Sequence, residues 1–479
     1  MPLAAPVTRP ALPSIDPAIA GSLLFSGMRT DGQLERAGLS PSEVAGWAGA
    51  RPEEAEDFDP AAAAVSEYLI RGRDLLARLP APPDRDDDEE AAADAIHEAL
   101  NAARDRFLSA HAATLYDELT AGRTRSLRLE PLVYAAAERV PGLVPTRSEM
   151  NAERGLPLAG KQGLELAQGK LVSRVLASPL VGRHLVEAML EPTPEALERL
   201  DSFRASGVAD LGAVLVTRRG GAGVLELRNP RHLNAEDGST LAPTECAVDL
   251  ILLDPAIAVG VFRGGVVDHP RYAGRRVFGS GINLTHLYHG SVDFLFYLVR
   301  DLGYVNKIYR GLGEDGPEKL WIAAVEQFAI GGACQLLHVV DHVIATRGSR
   351  LYLPARREGI IPGASNLRLP RFVGDRAARQ AILSGREWTA GERDAALLCD
   401  EVIESDQVDE AIDARVKALT SSGLINAAAN RRALRVGEEP LDVFREYMAT
   451  YAHEQAYCHL SPALVRNLEQ HWNAHNRAV

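Results

Sequence analysis

At 479 residues the chain exceeds one ordinary core, so two or more structural units are expected. The net charge of −13 argues against a nucleic-acid binder, and an anionic ligand would need a local basic patch. The four cysteines, Cys246, Cys334, Cys399 and Cys458, form no CxxC pair, which excludes a disulfide framework.

Residues 1–17 place prolines where a signal peptide has its apolar stretch, and no run reaches the roughly 18 apolar residues of a membrane span. A cytoplasmic protein is therefore expected. Residues 1–205 read as a helical N-terminal domain. After a Pro-rich linker at 79–83, Asp86, Asp87, Asp88 and Glu89 lie where a helix dipole favours anions. Ile96, Leu100, Ala103, Phe107, Ala110 and Leu115 continue as a helical stripe ending near Gly122. A second stripe runs through Leu164, Ala167, Leu171, Val175 and Leu176, and Thr193 with Pro194 reads as an N-cap and first-turn proline.

From about Val208 the period changes. Residues 213–217 and 224–228 are β-rich runs around Gly220, Gly221 and Gly223, which predicts a hairpin. Apolar β runs at 256–262 and 320–325 then alternate with helical runs at 240–253, 292–302 and 334–340, an α/β signature. Residues 206–405 read as the catalytic core. From 406 to 479 the chain is helical again, at 408–419, 441–454 and 462–472. A tail of that kind packs on a neighbouring core or subunit, so it reads as an oligomerisation region.

Four core segments carry motifs: RNPRHLNA (228–235), RRVFGSGINL (275–284), FAIGGACQL (328–336) and REGIIPGASNLRLPRFVG (357–374). In this order and spacing they resemble the enoyl-CoA hydratase/isomerase (crotonase) family. The resemblance implies an α/β fold with a ββα spiral core, an acyl-CoA substrate, and an oxyanion hole made by the backbone N–H groups of Ile282 and Gly332. A thioester α-proton is acidic only if the enolate oxygen is stabilised, and losing one such donor costs about 10²–10³ in rate. Gly331 and Gly332 let the backbone approach the oxygen closely, and the helix from Ala333 adds its positive end. On the residues alone, both turns could equally be ordinary Gly-rich turns.

Two positions depart from the family. Its hydratases carry a pair of glutamates, where this chain has Gln335 and Ala355. An amide and a methyl cannot act as a general acid/base pair, so simple hydration is not expected. NAEDG (234–238), FGSGINL (278–284), EGIIPGASNLRLPR (358–371) and EQAYCHLSPALVRNLE (454–469) resemble the family's arylacetyl-CoA dioxygenase branch. That resemblance implies oxygenation of 3,5-dihydroxyphenylacetyl-CoA by O₂, without metal or flavin, to the arylglyoxylate and free coenzyme A. A homotrimer or homohexamer is implied with it.

The residues it points to as catalytic are Ile282, Gly332, Gln335 and Glu236. Glu236 and Arg300 are placed against the ring hydroxyls, although the first could open a surface helix and the second stay solvated. Arg231 falls at the coenzyme A end and Asn234 is a further substrate contact, with Arg275 or Arg276 available for phosphates. Ser280, Gly281 and Asn283 complete the oxyanion loop. Ile360, Ile361 and Ile282 would wall an apolar O₂ pocket, or be plain core. A thioesterase, a decarboxylase and a silent assembly partner are the alternatives.

Three patterns are set aside. His338 with His342, and His286 with His289, have helical spacing but no third metal ligand. Residues 311–316 spell G-x-G-x-x-G in a charged loop without strand–turn–helix context. Ser280 sits in G-S-G, not in a nucleophile elbow.

Overall fold

The computed structural model describes residues 32–313, 316–421 and 423–477. The reading of residues 1–17 lies outside them, as do Glu314 and Asp315 of the G-x-G-x-x-G run. Among the described residues, no helix is long and apolar enough to cross a membrane.

The chain divides into two compact units, Met1–Phe107 and Leu108–Val479. In the first are α1 (Pro41–Gly49), α2 (Phe58–Leu76) and the opening of α3 (Asp87–Leu119). Asp86 and Glu89 cap α3 reciprocally: each carboxylate accepts from the other's backbone N–H at 2.9 Å. Trp47 stacks on Tyr68 with ring centroids 5.2 Å apart. A Cβ at Gly72 would lie 2.5 Å from Leu100, so the glycine lets α2 and α3 approach.

The second unit opens with α4 (Leu129–Arg139), α5 (Arg147–Arg154), α6 (Glu165–Ala177), α7 (Pro179–Met189) and α8 (Pro194–Ser206). Thr193 caps α8 by accepting from Ala196 N at 3.3 Å, with Pro194 in the first turn. The sequence reading assigned these helices to an N-terminal domain ending at 205. Their apolar faces pack on the helices beside the sheet and on the C-terminal tail.

Strands β1 (Val208–Asp210), β2 (Val214–Arg219) and β3 (Ala222–Leu227) are antiparallel, with the predicted hairpin turning at Gly220, φ 58°. Helix α9 (Gly238–Leu253) leads to β4 (Val259–Gly264); α10 (Leu284–Tyr288), α11 (Phe294–Leu302) and α12 (Tyr304–Arg310) follow. Next come β5 (Leu320–Val325), β6 (Phe328–Ile330), α13 (Gly332–Leu336), β7 (His342–Thr346), β8 (Arg350–Tyr352) and α14 (Ala355–Glu358). After α15 (Ser365–Arg379) lie β9 (Glu387–Thr389) and β10 (Glu401–Ile403).

The seven-stranded sheet has the order β1-β2-β3-β4-β5-β7-β10, parallel from β3 onward. A second sheet of three strands runs β6-β8-β9. Each of β5–β6–α13 and β7–β8–α14 is therefore one strand in each sheet followed by a short helix, the expected ββα turn. β4 and β5 are buried along their whole length, which is why they read as unbroken apolar runs. Gly260 stands opposite Trp321 in the register because a side chain there would collide with the indole.

The tail comprises α16 (Val408–Thr420), α17 (Leu424–Glu438), α18 (Leu441–His459) and α19 (Pro462–Trp472). It folds back on its own chain: α18 runs along α6, where a side chain at Gly169 would collide with Ala456, and α19 packs on α14 and α10. Helix α17 has no counterpart in the sequence reading. It is held by polar anchors, Arg431 Nε to Asp341 Oδ1 at 2.8 Å and Arg435 Nη2 to Glu318 Oε2 at 2.9 Å.

Candidate active site

Two turns meet between the sheets. The loop after β4 forms a parallel bridge between Gly279 and Ala329 of β6, and another between Ile282 and Glu236. Gly281, at φ 81°, brings it against the β6–α13 turn: a Cβ there would lie 2.9 Å from Gly332 N and 2.8 Å from Ile330 O. Only glycine fits that approach. Glu236 N donates to Gly281 O at 2.7 Å and Asn283 N to Glu236 O at 2.8 Å, which fixes the peptides on either side of Ile282. Gly331, at φ 54°, donates its own N–H to Tyr352 O at 3.0 Å. Among the described residues, no acceptor takes the N–H of Ile282 or of Gly332. Both residues line one small cavity.

Behind Gly332 sits a buried polar cluster centred on Arg300 of α11. Its Nε donates to Glu236 Oε2 at 2.9 Å, and Nη1 donates to Asp301 Oδ1 at 2.8 Å and Gln335 Oε1 at 2.9 Å. Nη2 donates to the Gly332 carbonyl at 2.7 Å. Tyr304 O–H donates to the other oxygen of Glu236. Burial alone would weaken the guanidinium's hold on its proton, but Glu236, Tyr304 and Asp301 reverse this and Arg300 stays charged. Glu236 and Arg300, placed by sequence on two separate ring hydroxyls, form one ion pair that also holds the Gly332 carbonyl. Gln335 faces the same guanidinium through its carbonyl oxygen.

The cavity over this cluster is small, about 30 Å³, and Ile360, Ile361, Ala355, Tyr297 and Tyr451 contribute to its walls. It opens beside a larger one of about 340 Å³, the two sharing Ile282, Pro354 and Glu358. Arg231, Arg350, Arg357, His471 and Arg477 give the larger cavity a basic lining. The tail supplies part of that wall through Asn467, Leu468 and Trp472.

Glu358 was not singled out from the sequence. It is 9 % exposed, and among the described residues no group donates to its carboxylate and no cation pairs with it. Burial pushes its pKa up to about 7. Its signal in the sequence was spacing: it follows Ala355 by three residues on α14 and so shares that face.

Arg231, Ser280 and Asn283 line the larger cavity, where Ser280 Oγ donates to His232 O at 3.1 Å. Asn283 also caps α10, accepting from His286 N at 3.2 Å. Asn234 reaches neither cavity. It is fully buried and ties three segments together, donating to Gly265 O at 2.8 Å and Val277 O at 2.7 Å while accepting from Asn229 N at 2.9 Å. Gly281 acts through backbone conformation alone. Arg275 is exposed, and Arg276 is committed to Glu226 at 2.5 Å.

The histidines have local partners. His338 Nδ1 is 3.1 Å from Ser365 Oγ, and burial, then Arg368, pulls its pKa down to about 3. His342 meets Glu401 at 2.9 Å, His286 meets Asp237 at 3.0 Å, and His289 meets Arg477 O at 2.9 Å.

Residues 218–443 match the family model described as enoyl-CoA hydratase/isomerase. The (3,5-dihydroxyphenyl)acetyl-CoA 1,2-dioxygenase of Amycolatopsis orientalis is 48% identical over 400 residues, covering 82% of this chain and 92% of that protein. A probable enoyl-CoA hydratase of Rhizobium meliloti is 28% identical over 225 residues, covering 46% of this chain and 81% of that one. Among solved structures, enoyl-CoA hydratase from Bacillus halodurans superposes with a TM-score of 0.46 at 19% identity, over 54% of this chain and all of that one.

Proposed function

Because the chain belongs to the enoyl-CoA hydratase/isomerase family, we propose that it turns the family's thioester enolate toward O₂, converting 3,5-dihydroxyphenylacetyl-CoA to 3,5-dihydroxyphenylglyoxylate and free coenzyme A without metal or flavin. The observation that carries this reading is the pair of unpaired N–H groups, Ile282 and Gly332, beside a cavity with Gln335 and Ala355 at the hydratase positions. The likeness to the dioxygenase relative supports the choice of substrate.

The thioester oxygen sits between the two N–H groups. Loss of an α-proton leaves an enolate whose negative charge they hold, in a site shielded from water. The dihydroxyphenyl ring delocalises that charge, so one electron can pass to O₂. Recombination places a peroxide on the α-carbon. Its terminal oxygen attacks the thioester carbonyl and expels the coenzyme A thiolate. Cleavage of the O–O bond with loss of the second α-hydrogen gives the α-keto acid. Both oxygen atoms are then in the product, and atoms and electrons balance without another reductant.

The small cavity is the right scale for a diatomic molecule, whereas a benzene-sized group needs on the order of 150 Å³. Seating the aryl ring over Glu236 therefore requires the wall at Ile360 and Ile361 to move outward. Glu236 retains lone pairs with which to accept a phenolic hydrogen bond. The basic lining of the larger cavity suits the phosphates of coenzyme A. A cytoplasmic location and a homotrimer or homohexamer are part of the same reading.

The test is to incubate metal-stripped protein with 3,5-dihydroxyphenylacetyl-CoA and follow O₂ uptake and free thiol together. One O₂ per thiol is expected. Thiol release without O₂ would leave a hydrolase, and dependence on added iron would sink the cofactor-free mechanism.

A further inference from the structure

We propose that Glu358 is the general base that removes the α-proton of the bound thioester, an assignment that rests on the enolate reading above. The hydratase glutamate is missing at Ala355, but Glu358 stands one helical turn further on the same short helix, and both line the small cavity. Glu358 also lines the larger cavity, so it stands where the two meet, beside Ile282. A thioester whose oxygen is held at Ile282 and Gly332 has its α-carbon at this junction.

The neighbouring carboxylates are already committed. Glu236 accepts from Arg300 and Tyr304, and Asp301 accepts from Arg300 at 2.8 Å. Each is tethered to that guanidinium behind Gly332 and so held away from other work, Asp301 even though burial raises its pKa. Among the described residues Glu358 has no such partner, and its raised pKa of about 7 lies where proton transfer at neutral pH is most effective.

The step balances simply. A Glu358 oxygen forms a bond to the proton, the Cα–H bond breaks, and its electron pair becomes the enolate held by the two N–H groups. The resulting acid can return that proton to the departing coenzyme A thiolate. As a carboxylate again, it is then ready for the second α-hydrogen.

The decisive assay is anaerobic exchange of the substrate's α-hydrogens with D₂O, which isolates proton removal from the oxygen chemistry. Wild-type protein should exchange, with a rate that rises through about pH 7 as the Glu358 carboxylic acid ionises. The ionisable groups around it are Tyr297, Tyr352 and Tyr451, with Arg357, His471 and the Arg300 cluster; burial pushes the three phenols upward, away from that range. Glu358→Gln should slow exchange about 10²–10⁴-fold, leave anaerobic substrate binding intact, and abolish the pH limb. Glu358→Ala should regain exchange with added formate, a rescue that a merely structural role would not give. Exchange in Glu358→Gln within threefold of wild type, or no formate rescue in a folded Glu358→Ala, overturns the assignment. If wild-type protein neither exchanges nor consumes O₂, the enolate reading fails first and the base goes with it.

Discussion

Arg300→Met removes the cation shared by Glu236, Asp301, Gln335 and the Gly332 carbonyl. The methionine fills much of the volume, so the main loss is electrostatic. Buried Glu236 is left without its counter-ion, and among the described residues Asp301 keeps only Arg368, which is already paired with Glu439. Breaking a buried pair from one side costs about 3–5 kcal/mol. With an unfolding entropy of about 0.8 kcal/mol/K for a unit of this size, the melting temperature should fall by about 4–6 °C. Activity should fall further than stability explains, by about 10²-fold, because the Gly332–Ala333 peptide, next in the chain to the oxyanion N–H, loses its anchor at the Gly332 carbonyl. Scanning calorimetry at neutral pH and O₂ uptake at a temperature where both proteins are folded give the two numbers. Adding Glu236→Gln should recover part of the lost stability, since it removes one stranded charge. A melting temperature within 1 °C of wild type, with normal turnover, would refute the placement of Arg300 as the keystone of the site.

Gly332→Ala would put a Cβ 2.5 Å from Glu236 Oε2 and 3.3 Å from Arg300 Nη2, so turnover should fall about 10²-fold or more while coenzyme A binding, measured by titration calorimetry, persists. Gln335→Glu sets a third carboxylate against Arg300 near the α-carbon; the ratio of α-deuterium incorporation to O₂ uptake should rise, because reprotonation then competes with oxygenation. The Glu439 carboxyl is raised by burial but held down to about 2 by Arg368, Arg310 and Arg371. Its folded pKa lies below the unfolded value, so its stabilisation is complete above about pH 4.3 and is lost as pH falls toward 2. Glu439→Gln should therefore destabilise at pH 7, by about 3 kcal/mol, and flatten the acid limb of the stability profile in urea titrations.

The site was legible where backbone geometry forces residue type. Gly281, Gly331 and Gly332 are written into the sequence because close approach and positive φ allow little else, and the strand–turn–helix periods around them followed. Glu236, Arg300 and Gln335 were found as residues, but their mutual pairing was not, because α11 and the Asn-Ala turn meet only through tertiary packing. Asn234 looked like a ligand contact because its turn is distinctive; its amide is instead consumed by three backbone groups. Glu358 was hidden by attention to Ala355, although a carboxylate one turn away on the same helix was readable. Helix α17 escaped because arginines bound to Glu318 and Asp341 anchor it in place of an apolar stripe. The unit boundary at Phe107 could not be seen either, since α3 runs through it without a break in period.

The most direct test of the central claim is turnover of 3,5-dihydroxyphenylacetyl-CoA under ¹⁸O₂ in unlabelled water, with the product read by mass spectrometry as soon as it forms. An enolate held by Ile282 and Gly332 and captured by O₂ predicts two labelled oxygens in the arylglyoxylate, one on the keto carbon and one on the carboxylate. A product carrying one ¹⁸O, or none, would mean that water supplies the missing oxygen and would contradict the account.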